Sequence, residues 1–386
     1  MRVFPGMDTL LGEHADWLRG RRVGLVAHAA SVDGGGRASV ERLLALPDVR
    51  LAAVFGPEHG FLGTARAGEP VADACHGPGG IPVFSLYGAT RRPTPEMLDR
   101  VDVVLFDLQD LGVRCYTYVA TLRYVLEAAA ACGKAVIVAD RPVPLPRAVD
   151  GPARDQAVES FVAAVPAPLV YGMTPGETAG WLKDTLALDL DLRIAKMRGY
   201  IRRTHLWLTP THWVPPSPGI RTPETACLYP ATVQFEALPS VDYGRASDRV
   251  FRRFGAPWMN APAVCEALAA AALPGVSFHP CAADAAAGAY QGKPISAVQV
   301  RLEDGERFQP ARAAVSLAWA LQQVHGIESL WGAPGTRTDH FDRLMGTARV
   351  REALRQGAAP PAIFAGWESG LSAFRSIRAR YLLYEE

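Results

Sequence analysis

The sequence predicts an α/β fold: a Rossmann-like parallel sheet domain with helices on both faces, followed by a smaller α+β C-terminal domain. Five short apolar runs alternate with helical patterns in the first 150 residues. Strands that are apolar on both faces are typical of a parallel sheet covered by helices. A length of 386 residues also favours two domains. We expect the sheet domain to span 1–215 and the smaller domain, which contributes loops to the site, to span 216–386.

The apolar runs and the helical patterns follow one another in order. Helical spacing is present at 38–47 and at 118–133, where Gly133 is the expected C-cap. A further helix is predicted at 173–188, with Thr174 as N-cap and Glu177 completing a capping box. The predicted strands cover 22–28, 49–55, 81–87, 101–107 and 134–140.

The second half of the chain begins with a segment of little periodicity. Residues 205–260 are rich in Pro, Trp and Tyr, which favours an irregular binding segment. Beyond it, the pattern returns to regular elements. Helices are predicted at 261–272 and near 310–325, 340–356 and 370–380, and strands around 276–279 and 295–302.

Composition narrows the classes of function. A formal charge of +1 gives no electrostatic argument for nucleic acid or a membrane surface. No apolar run is long enough to span a bilayer, and the N-terminus does not resemble a signal peptide, so a cytoplasmic protein is expected. The 6 cysteines lack CxxC spacing and are interpreted as reduced thiols, Cys115 among them as a packing residue.

Polar side chains follow three of the predicted strands. Because the carboxyl ends of parallel strands meet at one edge of a sheet, a polar ligand site is expected there. A carboxylate in such a site can act as a general acid. The alternative is structural, since acids after strands often cap helices and Asp–Arg pairs often serve as ion pairs. The residues concerned are Glu58, His59, Asp107, Gln109, Asp110, Arg114, Asp140 and Arg141.

Several other sites are not supported. No G-x-G-x-x-G follows the first strand, residues 288–294 lack the spacing of a phosphate loop, and no G-x-S-x-G elbow is present. His59 and His76 have no second ligand at metal spacing. A metal site on His205 and His212 is a weak alternative.

At this point the motifs resemble those of one bacterial family. The chain carries, in order, FGPEHGFLG, IPVFSLYG, DLQDLGVRCYTYVATL, DRPVP, VYGMTPGE, WVPPSP, LYPATVQFE, FGAPW and RARYLLY. The same order is found in the exo-β-N-acetylmuramidases, formerly a family of unknown function. The match spans essentially the whole chain, which resembles a divergent member.

The resemblance implies a Rossmann-like catalytic domain that releases N-acetylmuramic acid from the non-reducing end of cell-wall fragments, as in peptidoglycan recycling, without nucleotide or metal. Glu58 is then the expected catalytic acid, and His59 orients it or binds the sugar. The second catalytic group stays open between Asp107, Asp110, Asp140 and the substrate's own acetamido group.

The same resemblance suggests substrate contacts. The lactyl carboxylate of a muramyl sugar favours a bidentate Arg, with Arg114 and Arg245 as first candidates and Arg141 next. We also expect residues 243–258, which include Arg245 and Trp258, to fold over the strand ends. Further binding candidates are the polar His28 and Gln109 and the stacking aromatics Tyr116, Tyr118 and Trp213.

The chain departs from the family at positions that usually carry Asn. These positions read His28, Val143, Gly219 and a stretch at 237–247, and Asn260 is the only Asn present. Val and Gly cannot replace the donor and acceptor of an amide. Two further hypotheses follow: an enzyme on this scaffold that acts on another small molecule, and a non-catalytic sugar-binding protein.

Overall fold

The computed structural model describes residues 3–74, 77–203 and 213–385. Within these residues, six parallel strands form a sheet with the spatial order β3-β2-β1-β4-β5-β6, which is the Rossmann order. The α/β class predicted from the sequence is confirmed. The strands are β1 (Arg22–Val26), β2 (Arg50–Gly56), β3 (Val83–Ser85), β4 (Val103–Phe106), β5 (Ala135–Ala139) and β6 (Leu192–Ala195).

Helices cover both faces of this sheet, as predicted. Helices α1 (Gly6–Glu13) and α2 (Ser39–Leu44) pack on one face. After the short α3 (Pro95–Leu98), helices α4 (Tyr118–Ala131) and α5 (Pro175–Thr185) pack on the other. The strand β6 was not predicted, because it is only half-buried and lacks an apolar run.

The ends of α4 and α5 follow the expected chemistry. Gly133 has a φ of 62°, so it takes the left-handed conformation that ends α4. Thr174 caps α5, and its hydroxyl accepts from the Glu177 N–H while the Glu177 carboxylate accepts from the Thr174 N–H. The predicted capping box is therefore confirmed.

A second, antiparallel sheet has the order β7-β9-β8 and packs against helices. Its strands are β7 (Arg253–Ala256), β8 (Val276–Asp284) and β9 (Pro294–Leu302). The helices of this half are α6 (Pro223–Thr232), α7 (Ala261–Ala270), α8 (Pro310–His325), α9 (Glu328–Trp331), α10 (Thr338–Met345), α11 (Arg349–Arg355), α12 (Pro360–Ala365) and α13 (Glu368–Arg378).

Two expectations for this half were wrong. Residues 205–260 are not irregular throughout, since they contain α6 and β7. Helix α6 is buried along its length from Thr225 to Thr232, so it has no amphipathic period to detect. The helix expected at 340–356 is broken by Gly346, whose φ of 81° ends α10.

Some expectations cannot be placed on the structure. His205, His212, Cys75 and His76 lie outside the described residues, and the domain boundary near 215 stays a prediction. No helix in the described part of the chain is both long and apolar enough to cross a bilayer. The remaining five cysteines are free thiols, and burial raises the pKa of the Cys115 thiol to about 12.

A buried guanidinium joins the sheet domain to the end of the chain. Arg202 is fully buried, contacts the Glu177 carboxylate of α5, and donates to the carbonyls of Pro146 at 2.7 Å and Gly172 at 3.0 Å. Glu177 also accepts from the Leu383 N–H at 2.9 Å. One ion pair therefore connects α5, the loop after β5 and the C-terminal segment.

Replacing Arg202 with Met should lower the free energy of unfolding by about 3–5 kcal/mol, because Glu177 would remain buried without its cation. Urea unfolding followed by circular dichroism measures the loss. Arg198→Met is the matched control, since Arg198 pairs with Glu13 on the surface. Equal effects of the two variants would contradict a role for the buried pair.

Candidate active site

The Pro-Glu-His-Gly turn projects Glu58 from the carboxyl end of β2. Gly56 is required there, because a Cβ at this position would lie 2.7 Å from the Phe61 nitrogen. His59 and Gly60 both adopt positive φ, at 71° and 76°. The tight turn therefore fixes the direction of the Glu58 side chain.

Glu58 is 7% exposed and is held by two donors. The Thr117 hydroxyl, at the start of α4, donates to Oε2 at 2.6 Å, and the Gly68 N–H donates to Oε1 at 2.8 Å. The Nδ1 atom of His59 lies 2.8 Å from the Ala65 carbonyl. In this arrangement His59 braces the loop around Glu58.

The phenol of Tyr87 interacts with Glu58, and a cation packs on the Tyr87 ring. Burial and the negative charge of Glu58 raise the pKa of Tyr87 to about 12. The guanidinium carbon of Arg91 lies 4.5 Å from the ring centres of both Tyr87 and Phe161. Sequence reasoning missed Tyr87 and Arg91, although the IPVFSLYG motif that contains Tyr87 had been noted.

His28, after β1, uses both ring nitrogens inside the protein. Nδ1 lies 3.1 Å from the Pro216 carbonyl, and Nε2 accepts from the Gln109 N–H at 3.1 Å. Burial and the nearby charge of Arg141 lower the pKa of His28 to about 3. His28 is therefore a neutral imidazole that donates from Nδ1 and accepts at Nε2.

Asp107 and Arg141 form a buried ion pair rather than an open site. The Asp107 carboxylate accepts from Arg141 Nε at 2.6 Å and from the Ser39 hydroxyl at the start of α2. Arg141 also donates to the Val32 carbonyl at 2.9 Å. Catalysis by Asp107 and substrate binding by Arg141 do not fit this geometry, because both groups are committed to structural partners.

The Asp140 carboxylate is also hydrogen-bonded within the protein, in this case at the start of α5. Its carboxylate accepts from the Thr174 hydroxyl at 2.8 Å, the Gly176 N–H at 2.7 Å and the Tyr384 hydroxyl at 2.5 Å. Burial, with the charge of Glu177, raises its pKa to about 7. The expectation of a catalytic Asp140 is corrected to a helix-anchoring role.

Asp110 keeps one oxygen free within the described residues. Its Oδ2 accepts from the Gly112 N–H at 3.0 Å and the Tyr171 hydroxyl at 2.9 Å, while the buried Oδ1 has no partner there. Burial raises its pKa to about 6. Gln109 instead donates to the carbonyls of Asp110 and Pro142, so its amide nitrogen stabilises the backbone of these loops.

Arg114 does not reach a ligand. It is fully buried, and its guanidinium donates to the carbonyls of Pro152, Ala167 and Leu344 at 2.8–3.1 Å. A Cβ on Gly346 would lie 2.3 Å from the Arg114 guanidinium. The expectation that Arg114 binds a substrate carboxylate is therefore corrected, since this side chain joins the sheet domain to α10.

The expected stacking aromatics form a buried chain. Tyr118 packs edge-on against His28 and Tyr116, and Tyr116 packs edge-on against Tyr229. The Tyr118 hydroxyl donates to the Pro216 carbonyl at 2.6 Å. Sugar stacking on Tyr116 and Tyr118 does not fit, because neither ring has an open face. Trp213 is partly buried, and its indole nitrogen has no partner among the described residues.

The C-terminal half contributes a second carboxyl group that sequence reasoning missed. Glu236 is half-buried in the short 3₁₀ helix Val233–Ala237 that follows α6, and it interacts electrostatically with Glu58, Arg245 and Arg337. Burial and the charge of Glu58 raise its pKa to about 7. Glu236 lies within the noted LYPATVQFE motif but follows no strand, so the strand-end rule could not find it.

Arg245 interacts electrostatically with Glu236, and the folding of residues 243–258 over the strand ends stays a prediction. Arg245 is exposed and makes no hydrogen bond or ion pair within the described chain, while its charge acts on Glu236 and Tyr243. Trp258 contacts Tyr290 instead, because its indole N–H donates to the Tyr290 hydroxyl at 3.0 Å. Among the described residues no group of three His, Cys, Asp or Glu side chains could hold a metal ion.

Comparisons with known proteins identify the family to which the chain belongs. The family model for the N-terminal part of exo-β-N-acetylmuramidase NamZ matches residues 23–224, and the C-terminal model matches 227–384. The chain belongs to the exo-β-N-acetylmuramidase NamZ family. This family membership makes it a glycoside hydrolase, and the resemblance noted in the sequence is confirmed.

Individual relatives of this NamZ-family chain agree in length and fold. The chain is 35% identical to the peptidoglycan β-N-acetylmuramidase NamZ of Bacillus subtilis (strain 168), over 99% of this chain and 92% of that protein. A DUF1343 family protein of Bacteroides fragilis NCTC 9343 superposes with a TM-score of 0.93 at 30% identity, covering 100% of this chain and 99% of the other. A second one, with a TM-score of 0.78 at 24% identity and full coverage of both chains, shows the fold alone.

Because His28 is neutral in the fold, its titration should weaken the protein in mild acid. The unfolded chain takes up a proton near pH 6.5, whereas the folded chain does so only near pH 3, so the unfolded state binds more protons between these values. The free energy of unfolding should therefore fall by up to about 1.4 kcal/mol for each pH unit below 6.5.

Urea unfolding at several pH values between 5 and 7 measures this slope. His28→Asn keeps a donor and an acceptor but cannot titrate, so the slope should become shallower by about one proton. His14→Asn, which removes a histidine stacked on Trp17 near the surface, is the control. An unchanged slope in His28→Asn would show that the folded and unfolded chains protonate His28 alike, which would contradict the buried neutral imidazole.

Proposed function

We propose that the chain is an exo-acting β-N-acetylmuramidase that releases N-acetylmuramic acid, or a related amino sugar, from the non-reducing end of peptidoglycan fragments. Glu58 is the general acid of this proposal. Membership of the NamZ family supports the reaction class. The single observation that carries the residue assignment is the tight turn that holds Glu58 between the Thr117 hydroxyl and the Gly68 N–H.

The contacts of Glu58 are compatible with proton transfer. The Thr117 hydroxyl can donate to an ionised Glu58 or accept from a protonated one, so their hydrogen bond survives a change of protonation. The Gly68 N–H fixes the other oxygen. Glu58 can therefore give a proton to the glycosidic oxygen and take one back without rearrangement of the turn.

The substrate's lactyl carboxylate needs a cation at the mouth of the site. Arg245 and Arg91 are both exposed; Arg245 interacts electrostatically with Glu236, and Arg91 interacts with Tyr87, which is itself a neighbour of Glu58. We assign the lactyl group to Arg245, because Arg91 is already packed on the rings of Tyr87 and Phe161. Cytoplasmic location and a role in cell-wall recycling remain proposals that follow from this substrate.

Glu58→Gln should lower kcat/KM by about 10²–10⁴-fold on the disaccharide of N-acetylmuramic acid β-linked to N-acetylglucosamine, because the leaving oxygen would no longer be protonated. Release of free N-acetylmuramic acid, followed by chromatography, measures the rate. Glu69→Gln is the matched control, since Glu69 is an exposed carboxylate of the same loop that binds the Arg66 N–H.

If the wild type cleaves the disaccharide and Glu58→Gln keeps this activity, the role of Glu58 as general acid is overturned. No turnover by a folded wild type would overturn the proposed substrate and favour an enzyme for another small molecule. Binding of the disaccharide without any cleavage would favour the sugar-binding hypothesis.

Arg245→Gln should reduce the preference for muramyl over N-acetylglucosaminyl substrates. Losing a charge-assisted hydrogen bond corresponds to about a tenfold to hundredfold fall in kcat/KM for the muramyl glycoside only. Para-nitrophenyl β-glycosides of the two sugars measure the ratio. Arg249→Gln is the control, because Arg249 lies on the same loop and pairs with Asp248. An unchanged ratio would place the lactyl group elsewhere.

A further inference from the structure

The two oxygens of Glu58 are bound by donors of different kinds. The Gly68 N–H donates to Oε1 at 2.8 Å, and the Thr117 hydroxyl donates to Oε2 at 2.6 Å. An amide N–H can only donate, whereas a hydroxyl donates through its hydrogen and accepts through its lone pairs. The bond at Oε1 therefore favours an oxygen without a proton, and the bond at Oε2 suits either state of the carboxyl group.

Thr117 is the N-cap residue of α4, yet its side chain does not cap the helix. A threonine at this position usually has an extended backbone and accepts from an amide of the first helical turn. Here the Thr117 backbone is helical, at φ −64° and ψ −9°, and its hydroxyl makes no capping hydrogen bond. Within the described residues the hydroxyl bonds to Glu58 alone. Its lone pairs are therefore left to accept a proton from Glu58.

The backbone around Thr117 is fixed on both sides. Tyr116 and Tyr118 are buried, and their rings pack edge-on with centres 4.8 Å apart. The Thr117 carbonyl accepts from the Thr121 N–H at 3.0 Å. Thr117 is 8% exposed and Glu58 is 7% exposed, so water competes little for the hydrogen bond between them. The hydroxyl of Thr117 is thus held against one chosen oxygen of Glu58.

We propose that Thr117 is a positioning residue, which keeps the transferable proton of Glu58 on Oε2. The inference rests on the proposed function of Glu58 as general acid. When the proton is on Oε2, Thr117 accepts it, and the Gly68 N–H still donates to the unprotonated Oε1. A proton on Oε1 would weaken that oxygen as an acceptor for the amide. The two donors therefore select the oxygen from which the proton leaves.

Bond cleavage moves this proton from Oε2 to the glycosidic oxygen. The bond between that oxygen and the anomeric carbon breaks, and its electron pair stays with the aglycone, which leaves as an alcohol. Water, the second reactant of hydrolysis, adds a hydroxyl group to the anomeric carbon, and its remaining proton returns to Glu58 through solvent. While Glu58 is ionised, the Thr117 hydroxyl donates to Oε2. Two orientations of one hydroxyl thus serve both states of the acid.

Thr117→Val tests this role, because valine keeps the shape of threonine and removes the hydroxyl. On the disaccharide of N-acetylmuramic acid β-linked to N-acetylglucosamine, kcat/KM should fall by about 10–10²-fold, mostly in kcat, since the acid loses one hydrogen bond. On the para-nitrophenyl glycoside it should stay within about threefold of wild type, because para-nitrophenolate leaves without protonation. Thr117→Ser keeps the hydroxyl and should restore most of the rate on the disaccharide.

Thr121→Val is the matched control. Thr121 is buried on the same helix, and its hydroxyl donates to the Thr117 carbonyl at 3.3 Å rather than to Glu58. This variant should cleave both substrates within about threefold of the wild-type rate. Equal losses on both substrates in Thr117→Val, or no recovery in Thr117→Ser, would overturn the inference, because a distorted site would then explain the loss.

Combining Thr117→Val with Glu58→Gln gives a readout that a structural role would not produce. A residue that acts only through Glu58 has nothing to position once the acid is gone. The double variant should therefore match Glu58→Gln on the disaccharide within about twofold. A further fall of about tenfold would overturn the inference, since the two losses would then be independent.

The role of Thr117 and the proposed function fail in different ways. Loss of activity in Glu58→Gln together with wild-type rates in Thr117→Val would overturn the role of Thr117 and leave the proposed function intact. A folded wild type that cleaves neither substrate would overturn the proposed function and, with it, this inference.

Discussion

The buried ion pair between Asp107 and Arg141 is the interaction on which the site depends. It joins the end of β4 to the end of β5, and Ser39 adds the start of α2 to the same carboxylate. The loop after β1 is held in two further places, because Ser31 donates to the Asp107 carbonyl and Val32 accepts from Arg141. Since these bonds are buried and mutually satisfied, the loops around the switch point of the sheet form one rigid unit.

This rigid unit also holds the segment that leads into the C-terminal half. His28 and Tyr118 both donate to the Pro216 carbonyl, at 3.1 and 2.6 Å. The segment that follows leads into α6 and then to Glu236. The segment that leads to Glu236 is thus anchored by contacts between the Pro216 carbonyl and buried polar groups of the sheet domain.

The sequence was sufficient for the first five strands of the parallel sheet, the capped helix α5 and the tight turn at Glu58, because these depend on local pattern. It was not sufficient to separate Glu58 from Asp107 and Asp140. All three residues follow strands. Only the tertiary contacts show which carboxylate binds the start of a helix and which pairs with an arginine. Glu236 could not be found by the same rule, since α6 is buried on all sides and leaves no period to read.

The departures from the family have a different meaning once the contacts are known. His28 supplies the donor and the acceptor that an Asn would supply, so this replacement leaves no buried group unpaired. Val143 is fully buried against Gly112, and a side chain at Gly219 would lie 3.0 Å from the Phe251 ring. A side chain at Gly219 would therefore need the Phe251 ring to move, so the loss of Asn there goes with a change in packing. Asn is no larger than Val, so at position 143 the change removes a donor and an acceptor without a steric reason.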